Sequence, residues 1–146
     1  MNKEFIPYTQ ALALKELGFD EKCFGWYSDR NIRIAGTNGC VVSKLLRNSE
    51  FIEDEEFVSA PLYQQAFRWF REKHMLQSSI TSFSLEEFTP HIQDGRNTVI
   101  YPTYGNILSD GKKNHWEFDT YEEAEIECLN KLIELVKDKI DEKVKG

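Results

Sequence analysis

The chain has 146 residues, of which 40% are hydrophobic, 13% aromatic and 29% charged, and this composition excludes a disordered chain and fits one folded domain. Its formal charge of −7 at pH 7 disfavours a general affinity for nucleic-acid backbones. No apolar stretch approaches the roughly 20 residues that span a bilayer, and the first residues lack the pattern of a secretory signal, so we expect a cytoplasmic protein.

The first predicted helix covers residues 8–17, where alanine and leucine recur at helical spacing, with residue 8 or 9 near its N-cap. Gly18 is placed to end this helix in the left-handed conformation, which a side chain disfavours. Phe19 would then pack back on Leu14, as a Schellman motif requires.

Two short strands are predicted next, over residues 23–27 and 31–35, because aromatic and β-branched side chains cluster there. Residues 28–30 form the turn between them. Residues 36–58 show no clear periodicity. They contain an Asn-Gly turn signal at 36–39 and a carboxylate-rich run at 50–56 that indicates an exposed loop.

The second predicted helix begins at Ser59, has Pro61 in its first turn and runs to about Met75. Its apolar stripe is wide, so we expect this helix to lie across a sheet and to be mostly covered. The stripe consists of Leu62, Ala66, Trp69 and Phe70, widened by Tyr63 and Phe67.

Three strand candidates follow, over residues 79–85, 97–102 and 115–118. Turn dipeptides at 94–95 and 110–111 separate them. Strands joined by such short turns form an antiparallel meander.

The last predicted helix begins at a capping box formed by Thr120 and Glu123. Lys alternates with Asp and Glu in residues 137–146, which predicts a solvated and fraying end. The buried stripe of this helix is expected to contain Ala124, Cys128, Leu132 and Leu135, with Leu129, Ile133 and Val136 beside them.

The predicted order of elements is α-β-β-α-β-β-β-α. We therefore expect an α+β fold, a single domain over residues 1–146, with an antiparallel sheet of about three to five strands and two or three helices packed on it. Double-stranded RNA-binding domains share the order of the second half. The acidic balance and the lack of a lysine cluster before the last helix argue against that function.

Three groups of residues could carry chemistry, and each has a simpler structural interpretation. Cys23, Cys40 and Cys128 lack the spacing of a zinc site, so we interpret them as buried thiols. Residues 36–39 lack the pattern of a phosphate-binding loop, which favours a hairpin turn. The acidic run at 50–56 lacks the ligand spacing of a calcium loop. We predict no catalytic constellation, no metal site and no cofactor.

Two features remain that could bind a ligand. In residues 24–33, aromatic rings beside arginines could stack on a base and hold a phosphate; the alternative is a hairpin that buries its aromatic side chains. On the second helix, Arg68 and Arg71 lie one turn apart and could grip an anion together; the alternative is a solvated face. The candidate ligand-binding residues are Trp26, Tyr27, Arg30, Arg33, Gln64, Gln65, Arg68 and Arg71.

Three segments of the chain read FIPYTQALALKELGFDEKCFGWY (5–27), SAPLYQQAFRWFREKHML (59–76) and TYEEAEIECLNKLIELVK (120–137). Together they resemble a family of small proteins encoded by bacteriophages and prophages of Bacteroides-like bacteria. The resemblance implies a phage origin and action inside the infected bacterium, and it implies no activity. The residues carried over from the family's most recognisable string are Tyr63, Gln64, Gln65, Arg68, Trp69 and Arg71.

We favour the hypothesis of a non-catalytic accessory protein that acts by binding in the infected bacterium. In an anti-defence role it would sequester a nucleotide signal or mask a host protein. One alternative is a small nucleotide-directed hydrolase, which needs His91 or His115 beside a carboxylate in a cleft. Others are an oligomerising structural or interaction module and, on the negative charge alone, a DNA mimic. We expect neither a membrane partner nor a general nucleic-acid partner.

Overall fold

The computed structural model describes residues 2–36, 45–51, 57–102 and 116–145. These residues form three α-helices and two three-stranded antiparallel sheets, which confirms the predicted α+β, single-domain class and order of elements. The chain divides into two compact units, residues 1–66 and 67–146. Within the described ranges, no helix is both long enough and apolar enough to cross a membrane.

The first unit is built on a sheet in which strand β1 (Gly25–Ser28) lies between β2 (Asn31–Ile34) and β3 (Val58–Ala60). Asp29 and Arg30 form the turn between β1 and β2, with φ angles of 49° and 63°. Positive φ at both central residues is the requirement of a type I′ turn, whose twist matches that of the strands it joins.

Helix α1 (Tyr8–Glu16) packs against β3. It ends in the predicted Schellman motif, because Gly18 has a φ of 95° and the N–H of Phe19 donates to the carbonyl of Leu14 at 2.9 Å. Leu14 and Phe19 are both buried. The N-cap residue is Pro7, directly before Tyr8, one of the two residues predicted to lie near the N-cap, and no side chain caps the helix.

Helix α2 (Tyr63–His74) begins later than predicted. Ser59 belongs to β3, paired with Trp26, and Pro61 follows that strand. The helix ends at His74 because Met75 adopts the left-handed conformation, with a φ of 56°. The wide apolar stripe is confirmed by the burial of Ala66, Trp69 and Phe70, with Leu62, Tyr63 and Phe67 half-buried.

The second unit contains β4 (Gln77–Ser84), β5 (Glu87–Gln93) and β6 (Val99–Tyr101), with β5 in the centre. The predicted strands at 79–85 and 97–102 overlap β4 and β6. Strand β5 escapes prediction because Pro90, which has no N–H to donate, disfavours a central strand. The strand predicted at 115–118 reduces, in the part of the chain that is described, to a bridge between Phe118 and Phe88.

Helix α3 (Tyr121–Lys145) packs on β4 and β5. The hydroxyl of Thr120 accepts a hydrogen bond from the N–H of Glu123 at 3.2 Å, as predicted for the N-cap. The helix continues to Lys145, past the point where fraying is predicted. Its buried stripe is Ala124, Cys128, Leu129, Leu132, Ile133 and Val136, with Leu135 half-buried.

Candidate functional site

The aromatic and basic run of residues 24–33 is divided between the two faces of the first sheet. Trp26 lies directly across from Arg33 on β2 and from Ser59 on β3. Phe24 lies immediately before β1 and two residues before Trp26, so the alternation of side chains in β1, continued to Phe24, predicts that it shares this face. We call the surface formed by Phe24, Trp26 and Arg33 the hairpin face.

The hairpin face combines an exposed ring and an exposed cation with one buried ring. Phe24 is 54% exposed and Trp26 only 9%, while Arg33 is exposed. The carbonyl of Phe24, just before β1, accepts a hydrogen bond from the N–H of Ala35, just after β2, at 2.8 Å. Diagonal neighbours on such a ladder lie about 7–8 Å apart, within reach of aromatic and long side chains. An aromatic base could therefore stack on Phe24 while Arg33 holds a phosphate.

Phe24 is absent from the predicted ligand-binding residues, whereas Trp26 is among them. The alternation of side chains in β1, continued to Phe24, predicts that the two residues share one face, and this signal was sufficient to group them. It was not sufficient to show which ring is covered, since that depends on the rest of the fold. The structure makes Trp26 a packing residue and leaves Phe24 accessible.

Tyr27 and Arg30 lie beside Tyr8 of α1. The hydroxyl of Tyr27 donates to the carbonyl of Ile6 at 2.7 Å, and its ring meets that of Tyr8 edge to face, with centroids 5.5 Å apart. Burial raises the pKa of Tyr27. The guanidinium of Arg30 lies 5.7 Å from the centre of the Tyr8 ring, a cation–π contact. Tyr27 is therefore a buried packing residue. Arg30 is an exposed cation that its contact with the Tyr8 ring partly orients.

The candidate residues of α2 separate into exposed and structural ones. Gln64, Arg68 and Arg71 are exposed. Gln65 is half-buried, and its side-chain amide donates to the carbonyl of Lys22 at 2.9 Å. The same side chain lies against the thiol of Cys23. Gln65 thus links the start of α2 to the segment before β1. This structural role accounts for a glutamine at this position, and no ligand is needed to explain it.

Cys23 and Cys128 are free, buried thiols, as predicted. Burial raises the pKa of each to about 12, and the carboxylate of Glu21 adds to the effect at Cys23. Neither sulfur is therefore a thiolate, the form that attacks substrates, at neutral pH. Cys40 lies outside the described residues, as do residues 37–39 of the glycine turn and residues 52–56 of the acidic run.

Cys128 also lines a cleft in the second unit with a volume of about 90 Å³. Since one water occupies about 30 Å³ of liquid, this cleft has room for only a few waters. Pockets that enclose drug-sized ligands measure about 300–1,000 Å³. The cleft is therefore too small for a nucleotide. Its other lining residues are Phe67, Ser78, Ser79, Ile80 and Tyr121.

Two histidines of the second unit have pKa values below the usual range. His91 lies across from Ser79 in the sheet, and burial lowers its pKa; among the described residues no carboxylate contributes. His74 packs against the ring of Trp69 at 4.7 Å. Its pKa is lowered by burial and then by the charges of Lys139 and Lys143. The hydrolase hypothesis also invokes His115, which lies outside the described residues.

These histidines make the stability of the fold depend on pH. Because both pKa values are lower in the folded chain than the ordinary value of 6.5, the unfolded chain binds more protons as the pH falls below that value. Their contribution is complete above about pH 6.5 and is lost as the pH falls through the lower folded pKa values. We expect His74→Gln/His91→Gln to lose less stability between about pH 7.5 and about pH 5 than the wild type, measured by urea unfolding. Equal losses of stability in the wild type and the variant would contradict the attribution of this pH dependence to His74 and His91.

Comparison of the chain with protein-family models, with curated proteins and with solved structures finds no match.

Proposed function

We propose that the protein acts by binding a nucleotide-like anion in the cytosol of an infected bacterium. In this role it is a phage accessory protein that sequesters a nucleotide signal used in defence. The observation that supports the proposal is the hairpin face, where the exposed Phe24 immediately precedes β1 and the exposed Arg33 lies across from Trp26 on β2.

Charge and chemistry at the hairpin both suit such a ligand. Residues 24–36 carry two arginines and one carboxylate, so the hairpin is locally basic in a chain of formal charge −7. Stacking on an aromatic side chain is worth about 1–3 kcal/mol per base by alanine substitution. A hydrogen bond to a charged group contributes about 1.5–3 kcal/mol. One ring and one guanidinium together supply about 2.5–6 kcal/mol, compared with about 4.1 kcal/mol for a Kd of 1 mM.

The test is calorimetric titration of the purified chain with a panel of cyclic mononucleotides, cyclic dinucleotides and ATP. We expect at least one of them to bind, and expect Phe24→Ala and Arg33→Ala each to cost about 1–3 kcal/mol of binding free energy. Lys3→Ala, which removes an exposed cation of the same unit, serves as the control and should bind like the wild type.

Two outcomes would contradict the hairpin site. One is the absence of binding to every member of the panel. The other is loss of binding in Arg68→Ala/Arg71→Ala with the hairpin variants unaffected, which would place the ligand on α2. Conversion of the nucleotide during the titration would favour the small hydrolase, and light scattering that showed an oligomer without ligand binding would favour the interaction module.

The anti-defence role has its own test in infection. A phage that lacks the gene should grow poorly on hosts that defend themselves with a nucleotide signal and normally on hosts without that defence. Equal growth on both hosts would contradict the anti-defence role without bearing on nucleotide binding by the purified protein.

A further inference from the structure

One edge of the second sheet is formed by β4, which pairs with β5 alone in the part of the chain that the structure describes. Its eight residues, QSSITSFS, include no charged side chain and no proline. Proteins commonly protect a strand edge with charges, prolines or bulges, because an open edge pairs readily with another strand. The register of β4 on β5 is regular from Gln77 to Ser82 and shifts only after that residue. This regular stretch is therefore suited to pairing on its second side.

The hydrogen bonds of β5 determine which backbone groups of β4 point outward. Phe88 and Phe118 exchange two backbone hydrogen bonds of 2.9 Å, so the N–H and C=O groups of Phe88 point away from β4. Ser82 lies directly across from Phe88. Since hydrogen-bonded and non-hydrogen-bonded pairs alternate along an antiparallel ladder, every second residue of β4 directs its N–H and C=O groups away from β5. We call these residues the β4 edge, and they are Ser78, Ile80 and Ser82.

The cleft of about 90 Å³ in the second unit lies along the β4 edge. Ser78, Ser79 and Ile80 all line it, although successive side chains of a strand point to opposite faces. The cleft therefore reaches the backbone of β4 on the side that β5 does not occupy. Its lining includes apolar side chains that the single chain covers incompletely, because Tyr121 is 46% exposed and Phe67 and Ile80 are half-buried.

We propose that two copies of this chain associate by pairing their β4 edges antiparallel across a two-fold axis at Ile80. In this register Ile80 lies across from Ile80 of the second copy, and Ser78 lies across from Ser82. Each of these pairs exchanges two hydrogen bonds, and two three-stranded sheets become one continuous sheet. An axis at any other residue of β4 leaves part of the β4 edge unpaired.

Backbone chemistry and charge both favour a second copy as the occupant of the β4 edge. Outward N–H and C=O groups at alternate residues match another extended strand, and the even spacing about Ile80 lets the same patch serve both partners, as a two-fold interface requires. Each chain has a formal charge of −7, so two copies repel each other except where uncharged surfaces meet. β4 provides such a surface.

The apolar contact at this interface is the pair of Ile80 side chains. Directly opposed side chains of an antiparallel pair contact each other, so each Ile80 would cover part of the cleft of the other copy. This association does not depend on nucleotide binding at the hairpin face, whose residues belong to the first unit.

The test is sedimentation equilibrium of the full chain at concentrations up to about 1 mM, a range that reveals even a Kd of 1 mM. We expect a reversible dimer of the wild type. Ile80→Lys, which places two charges together at the axis, should weaken dimerisation at least about tenfold. The matched control is Val99→Lys, which adds the same charge to the exposed side chain of another edge strand of this sheet, β6, and should dimerise like the wild type.

Disulfide formation tests the register independently of dimer affinity. The Cα atoms of a hydrogen-bonded pair lie about 5.5 Å apart, which is within the range that a disulfide spans. In a Cys40→Ser background, Ile80→Cys should therefore give a covalent dimer on mild oxidation, whereas Val99→Cys should not. Circular dichroism should show the helix content of the wild type in every variant.

Three results would overturn the proposal of a β4 dimer. They are a single chain at every concentration, a dimer that Ile80→Lys leaves unchanged, and covalent dimers that form as readily from Val99→Cys as from Ile80→Cys. A single chain that still binds nucleotide would overturn this proposal and leave the proposed function intact. A dimer that binds no nucleotide would support this proposal and contradict the proposed function.

Discussion

Replacement of Trp26 by alanine is expected to lower the free energy of unfolding by about 3–5 kcal/mol, the usual cost of removing a buried Trp or Phe side chain. Trp26 is 9% exposed and lies in the centre of the first sheet, between Arg33 and Ser59. Its removal would leave a cavity in the buried core of the first unit. The measurement is urea unfolding followed by far-UV circular dichroism.

Phe24→Ala is the control for this prediction. Since Phe24 shares the face of Trp26 but is 54% exposed, we expect its replacement to change the unfolding free energy by less than about 1 kcal/mol. The two substitutions thus separate a ring that supports the fold from a ring that is accessible to a ligand. Similar destabilisation by both would contradict this division of the hairpin face.

Replacement of Phe70 by alanine is expected to cost about 3–5 kcal/mol of unfolding free energy as well. Phe70 has no exposed surface, and its ring centroid lies 5.0 Å from that of Trp69 and 5.9 Å from that of His74. Such aromatic pairs add about 0.5–1.5 kcal/mol beyond burial of their area.

The matched control for Phe70 is its exposed neighbour Arg71. Arg71→Ala should lie within about 0.5 kcal/mol of the wild type in the same urea titration, as surface substitutions usually do. A Phe70→Ala protein that lost less than about 1 kcal/mol would contradict the placement of Phe70 in the core.

These predictions concern the segment 59–76, which contains the residues that most resemble the phage family. Packing accounts for Trp69, and contacts with Lys22 and Cys23 account for Gln65. Gln64, Arg68 and Arg71 are exposed, so they are the residues of the string for which burial supplies no reason.

The helices were predictable because their signals are local. The glycine that ends α1, the hydroxyl of Thr120 at the start of α3 and the apolar stripes all act within a few residues along the chain. Strand β3 has only three residues, too few to show alternation, and Pro90 obscures β5. These two strands form because neighbouring strands of the sheet pair with them, and the local sequence does not indicate that pairing.

The hairpin face was predictable only in part. Arginines beside aromatic rings point to the hairpin from sequence alone, but strand pairing determines that Arg33 lies across from Trp26. Only the tertiary structure shows that Ile140 and Val144 of α3 are left uncovered.

The most direct test of nucleotide binding at the hairpin face is an NMR titration of the isotope-labelled full chain with the tightest ligand of the nucleotide panel. Binding at this face predicts the largest shifts at the ring of Phe24, the guanidinium of Arg33 and the backbone amides of β1 and β2. Shifts confined to α2 around Arg68 and Arg71, or an unchanged spectrum at saturating nucleotide, would contradict it.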